Sequence, residues 1–152
     1  MNMHENYIKI SVPITKGIKE GTYETLWAKK VGDSLAQIEN IPAYTSSVVY
    51  KDIVEYKKTS NDFFVDFVKV IQESGNKTLQ IFYKNSLFKN RKKIFLKEIF
   101  PGLIKLGCED YEGDMSGSIK VIAINIPSRA NLDLVTSFLN IYKNQGFNFQ
   151  ML

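Results

Sequence analysis

The spacing of apolar residues changes near residue 76, and this change limits the folds open to the chain. In early runs such as residues 7–12, apolar residues alternate with polar ones, which is typical of strands with one buried face. Beyond residue 76, strand-like runs are interrupted by two stretches in which apolar residues recur at helical spacing. We therefore predict two units, a small all-β unit over residues 1–73 and an α+β unit over residues 74–152.

The first unit is predicted to hold four or five short strands. The runs are 7–12, 22–31, 35–38, 48–56 and 62–72. Gly32-Asp33 marks a hairpin turn, and Asn40-Ile41-Pro42 is interpreted as a turn that ends a strand, because proline lacks a backbone donor. So many short strands within about 70 residues favour a small barrel or a curled sheet.

The second unit follows the order β-α-β-β-α-β. The predicted elements are strands at 78–83, 108–113, 118–126 and 147–151 and helices at 90–106 and 131–144, the first of which Pro101 must kink or divide. This order is that of a ferredoxin-like sandwich, with both helices on one face of an antiparallel sheet. Because strand 118–126 is apolar on both faces, we expect the second face to be covered by the β-barrel-like unit packed against it, by a homodimer mate or by another protein.

Several short motifs, taken in order, resemble a known family. They are Glu24-Thr25-Leu26-Trp27-Ala28, Gly32-Asp33, Asn40-Ile41-Pro42, Asp52-Ile53-Val54, Ser74-Gly75-Asn76, Leu106-Gly107-Cys108-Glu109 and Ile124-Asn125-Ile126-Pro127. The chain is similar over residues 20–150 to the bacterial domain of unknown function 4265. It departs from that family in the basic stretch 84–97 and in Ala43-Tyr44, which follow the proline. The resemblance implies a barrel plus a sandwich and implies no reaction.

Residue types needed for common catalytic and metal sites are scarce. The 152 residues include one cysteine, Cys108, and one histidine, His4. An intramolecular disulfide is therefore impossible, and a zinc site and a histidine-based triad are disfavoured. Neither standard phosphate-binding glycine motif occurs. No apolar run has the length of a membrane span. We predict a cytoplasmic protein without enzymatic activity, bound cofactor or metal.

Three carboxylates leave one enzymatic alternative open. Glu24, Glu39 and Asp52 would support paired-carboxylate hydrolysis if they converged on one cleft, although Asp52 is interpreted first as a turn residue. Cys108 is predicted to be structural, since Glu109 and Asp110 beside it disfavour a thiolate. We interpret Trp27, between Leu26 and Ala28, as an anchor in the core, with an exposed interface position as the alternative.

The charges are segregated although the net charge is only +4. An acidic group is proposed to contact a partner: Glu109, Asp110, Glu112 and Asp114. A basic group lies within residues 84–97: Lys89, Arg91, Lys92, Lys93 and Lys97. Our first hypothesis is a protein-binding module, such as an immunity or antitoxin-like protein that neutralises a bacterial toxin domain. The alternative is that the basic group binds RNA or single-stranded DNA.

Overall fold

The computed structural model describes residues 3–84, 90–114 and 117–152. The chain divides into two compact units, Met1–Asn76 and Lys77–Leu152. The fold is mixed α+β, with a closed five-stranded barrel in the first unit and a second sheet with helices in the next. These features confirm the predicted α+β class and the predicted barrel. None of the described helices is long and apolar enough to cross a membrane.

The barrel is built from five consecutive strands. They are β1 (Tyr7–Pro13), β2 (Tyr23–Gly32), β3 (Leu35–Ile38), β4 (Ile53–Lys58) and β5 (Phe64–Gln72). Consecutive strands pair antiparallel, and a parallel pairing of β1 with β5 closes the barrel. Alternate residues of each strand point inward, and they form one apolar core: Ile8, Ile10, Val12, Leu26, Ala28, Ala36, Ile38, Val54 and Val65.

One predicted strand is shorter than expected. The run 48–56 was predicted to be extended throughout, yet β4 begins only at Ile53. Residues 49–52 form a turn in which Lys51 has a φ of 71° and the Asp52 carboxylate accepts a hydrogen bond from the Val49 N–H at 2.9 Å. The prediction failed because β-branched and aromatic residues at 48–50 resemble a strand, while the carboxylate bond that bends the backbone is invisible to that pattern.

The second unit contains a four-stranded sheet in the order β7-β8-β6-β9. Its strands are β6 (Lys77–Lys84), β7 (Glu109–Asp114), β8 (Ile119–Ile126) and β9 (Asn148–Met151), and every pairing is antiparallel. Helix α3 (Leu132–Asn140) contributes Val135 and Leu139 to the core against this sheet. As the sequence predicts, β8 is buried on both faces, from Val121 to Ile126.

Pro101 divides the first helical segment of this unit. Helix α1 (Arg91–Ile94) runs into a π-helical turn, Phe95–Ile99, and then into helix α2 (Phe100–Lys105). Proline has no N–H to donate to the carbonyl four residues earlier, so the α-helical hydrogen-bond pattern is interrupted at this residue. The wider turn bonds the Phe100 N–H to the Phe95 carbonyl instead. The predicted interruption at Pro101 is therefore present, as a π-turn at that point.

Candidate binding surface on the barrel

Trp27 lies on the outside of the barrel, and the prediction of a core anchor is wrong. Its neighbours Leu26 and Ala28 are buried in the barrel core, whereas the Trp27 side chain is 39% exposed. Successive side chains of a strand point to opposite faces, so residues on either side of an inward tryptophan could not both be buried inside. Two apolar neighbours were interpreted as signs that Trp27 is buried as well. In a strand, the burial of both neighbours instead means that Trp27 faces out.

Trp27 belongs to a row of side chains that crosses three neighbouring strands. Lys9 of β1 is the register partner of Trp27 on β2 and of Phe64 on β5. The Lys9 Nζ lies 4.8 Å from the centroid of the Trp27 ring and 5.9 Å from that of Phe64. Phe63 meets both aromatic rings edge to face, with centroids 5.5 Å and 5.2 Å away. We call these four residues the aromatic patch.

Hydrogen bonds from the loop after β3 fix the backbone of Trp27. The Trp27 N–H donates to the Asn40 Oδ1 at 2.6 Å, and the Trp27 carbonyl accepts from the Glu39 N–H at 2.9 Å. The Asn40-Ile41-Pro42 motif thus does more than end a strand, since its first side chain holds the residue at the centre of the patch. A ring on a fixed backbone loses little further entropy when a partner binds.

Two further rows flank the aromatic patch on the same face. One row holds Tyr7 and Lys29, and the other holds Asp66, Ser11 and Thr25. Phe64 is 46% exposed beside Trp27. Exposed aromatic side chains surrounded by polar residues, some positively and some negatively charged, are typical of protein interfaces. Lys9, Phe63 and Phe64 were not among the residues predicted to be functional, although the period-two pattern of residues 7–12 places Lys9 on the outer face.

The three carboxylates considered for catalysis are each bound to separate partners. Glu24 accepts the backbone N–H groups of residues 43, 44 and 45 at 2.6, 3.0 and 2.8 Å. Asp52 accepts from the N–H groups of residues 49 and 74 at 2.9 and 2.8 Å. Glu39 is paired with the Lys51 Nζ at 2.5 Å. Within residues 3–84, 90–114 and 117–152, no three carboxylate, histidine or cysteine groups form a metal site.

The basic group is not a uniform cationic face. Arg91 is engaged with the backbone, because its Nε donates to the Gln145 carbonyl at 3.1 Å and a terminal nitrogen donates to the Lys84 carbonyl at 2.9 Å. Lys92, Lys93 and Lys97 are exposed. Lys89 lies outside the described residues. One of the four described cations is thus occupied in joining the start of α1 to the turn that precedes β9.

The acidic group lies along β7. Glu109 forms an ion pair with Arg129. Asp110 has a φ of 47°, and its Oδ1 accepts a hydrogen bond from the Tyr111 N–H at 2.7 Å. Glu112 is half-buried, and the side chain of Asp114 lies outside the described part. The pairing of β7 with β8 shifts register between residues 109 and 111. Glu109 and Asp110 therefore have local contacts of their own.

Cys108 is buried in the core of the second unit. Burial raises the pKa of its thiol to about 11. The neighbouring carboxylates were expected to disfavour the thiolate, but desolvation is the cause found. A thiol in this environment is protonated at neutral pH and is a poor nucleophile.

Comparison with known proteins places the chain in a family. The model for the domain of unknown function DUF4265 matches residues 24–149. One similar solved structure is described as a novel crystal structure of a hypothetical protein from Neisseria gonorrhoeae. It has a TM-score of 0.68 at 17% identity and covers 95% of this chain and 92% of that one, which shows a shared fold. No curated protein matches the sequence. Since the family model covers most of the chain, the protein belongs to the DUF4265 family.

Proposed function

We propose that the protein is a binding module whose aromatic patch contacts another protein. The observation that carries this proposal is the outward-facing row of Phe64, Lys9 and Trp27, in which both rings are exposed and contact Phe63. Tryptophan and aromatic side chains dominate binding energy at protein interfaces, especially when a rigid scaffold holds them. An outward tryptophan on a small barrel contributes less to folding than a buried one, which leaves its apolar area for a partner.

The contacts within the patch favour a protein over single-stranded nucleic acid. Bases bind such surfaces by stacking on free ring faces. Here Lys9 lies over the Trp27 ring, and Phe63 packs edge-on against it, so the rings are arranged against one another. The adjacent row carries the Asp66 carboxylate, which would repel a phosphate backbone crossing the sheet.

The net charge of +4 favours a partner with an acidic contact surface. An immunity or antitoxin-like role, in which the patch covers a bacterial toxin domain in the cytoplasm, is the specific version of this proposal. The acidic group Glu109, Asp110, Glu112 and Asp114 would then meet a basic part of the same or another partner. The sheet order and the core shared with the helices support a ferredoxin-like description of the second unit.

The test compares two surface variants in one capture experiment. The double variant W27A/F64A removes two exposed rings of the patch, and Tyr23→Ala removes an exposed ring from the same strand outside it. Tyr23 is 69% exposed, so it is a matched control. Proteins captured by the wild-type chain from native lysate are quantified by mass spectrometry, and the recovered partner is then titrated by calorimetry. The double variant should bind it at least about 30-fold more weakly, and Tyr23→Ala should bind as wild type.

Two results would refute the proposal. One is a partner that binds W27A/F64A and wild type equally. The other is tight binding of a fluorescent oligothymidylate that falls steeply with added salt and is lost in the double variant, which would assign the patch to nucleic acid.

A further inference from the structure

The second unit contains a cleft of about 220 Å³ between its helical segment and its sheet. Phe95 of the π-turn, Tyr111 of β7 and Ile122 of β8 form apolar walls. Phe95 and Ile122 are buried, whereas Leu96 at the rim is exposed, so the cleft opens to solvent. Small-molecule sites are typically concave and apolar with a few polar groups. The aromatic patch on the barrel has no part in this cleft.

The π-turn shapes one wall of the cleft. It brings the Phe95 ring to 5.3 Å from Tyr111, and Phe100 lies 4.7 Å from the same tyrosine ring, both edge to face. Single π-turns within α-helices occur often at functional sites, because they displace side chains from the regular helical face. Here the displacement is fixed by Pro101 and gives an aromatic wall.

Tyr83 supplies a buried hydroxyl that finds no hydrogen-bond partner in the described part of the chain. Its side chain is 1% exposed, and its hydroxyl oxygen has no hydrogen bond to any residue that the structure describes. Buried polar atoms are nearly always bonded, so an orphaned phenol requires an explanation. Tyr83 lines this cleft and also a second cavity of about 270 Å³, so open volume lies on two sides of its side chain.

Lys92 supplies a cation at the same cleft. It lines the cleft, is exposed, and forms no ion pair with a described residue. An O–H donor and an ammonium group beside aromatic walls complement a ligand that has an apolar body and one anionic acceptor. The apolar lining excludes a strongly hydrated anion such as free phosphate, which has no body to bury.

We propose that this cleft binds a small apolar carboxylate, whose ring or chain lies against Phe95, Tyr111 and Ile122. The carboxylate accepts a hydrogen bond from the Tyr83 hydroxyl, and the Lys92 ammonium balances its charge. The volume suits a ligand of about ten heavy atoms, and a ligand of that size is expected to bind with a Kd on the order of 1 mM.

The test is an NMR titration of the full chain labelled with ¹⁵N. The probes are 3-phenylpropionate and its uncharged amide. Amide shifts should concentrate at residues 95, 96, 111, 113 and 122, and the carboxylate should bind about ten-fold more tightly than the amide. Tyr83→Phe keeps the ring and removes the donor, so it should weaken carboxylate binding about ten-fold. Lys92→Met should weaken it about two- to five-fold.

Matched controls separate binding from folding. Tyr142→Phe and Lys97→Met alter a tyrosine and a lysine of the same unit outside the cleft, and both should bind as wild type. Because the Tyr83 hydroxyl bonds to none of the described residues, Tyr83→Phe should unfold at the same or a higher denaturant concentration. The proposal is overturned if shifts do not saturate at these residues, if the amide binds as tightly as the carboxylate, or if Tyr83→Phe binds as wild type.

Discussion

Removing the Glu24 carboxylate should destabilise the barrel far more than a typical surface change. Its Oε1 accepts the N–H of Ala43, and its Oε2 accepts those of Tyr44 and Thr45. Tyr44 and Thr45 are buried, so in Glu24→Ala two donors inside the barrel unit lose the carboxylate that satisfies them. Each buried donor left unsatisfied costs about 1–3 kcal/mol. The variant should therefore lose about 4 kcal/mol of unfolding free energy.

Glu24→Gln tests the same reasoning with less disruption. Its single carbonyl oxygen can still accept from two N–H groups, but its amide nitrogen turns a donor toward the third. The expected loss is about 1–2 kcal/mol. Glu55→Ala is the control, because that residue is half of a surface ion pair with Lys69 at 3.7 Å and should change stability by less than about 1 kcal/mol.

Urea unfolding followed by Trp27 fluorescence reports on the barrel, because Trp27 is the sole tryptophan of the chain. Hydrogen exchange should show faster exchange at the amides of residues 43–45 in Glu24→Ala, and in Glu24→Gln to a smaller degree. If Glu24→Ala loses no more unfolding free energy than Glu55→Ala, the carboxylate does not hold this loop and the reasoning fails.

Three further predictions concern single positions. Gly102→Ala should lower the free energy of unfolding by about 1–3 kcal/mol, because a Cβ there would lie 2.2 Å from the Phe138 ring. Gly117→Ala is the control and should be nearly neutral, and the two variants are compared by thermal unfolding. Asp52→Ala should cost about 2–4 kcal/mol in urea unfolding, since it frees two backbone donors, and a loss below 0.5 kcal/mol would contradict this. Cys108 should resist a thiol reagent at pH 8 until the protein unfolds, because its thiol is buried and protonated. The raised pKa also means that the free energy of unfolding falls as the pH rises from about 9 to 11, since only the unfolded thiol ionises in that range.

Most elements could be predicted because their signals are local. The alternation in β1 and the helical spacing in α3 follow from which residues each element buries. The helix division at Pro101 follows from the missing N–H of proline. Gly146, which follows the last helical turn, has a φ of 87°, and a Cβ at this position would clash with the Arg91 guanidinium.

The proposed binding surface could not be predicted, because it depends on which strands become neighbours. Lys9, Trp27 and Phe64 are far apart in the sequence and meet only through the pairing of β1 with β2 and β5. The roles of Glu24 and Asn40 could not be predicted from the sequence for a similar reason. Each side chain bonds to backbone groups more than ten residues away, and no composition or periodicity encodes those partners.

The parallel closure of β1 onto β5 has a consequence for how this protein avoids aggregation. A closed barrel exposes no unpaired strand to recruit another chain, whereas an open sheet has two such borders, here β7 and β9. β9 is only four residues long, and β7 combines a register shift with carboxylates at 109, 110 and 112. Short length, irregularity and like charge all discourage intermolecular strand pairing. The acidic residues of β7 therefore oppose pairing of this border with the same border of another copy.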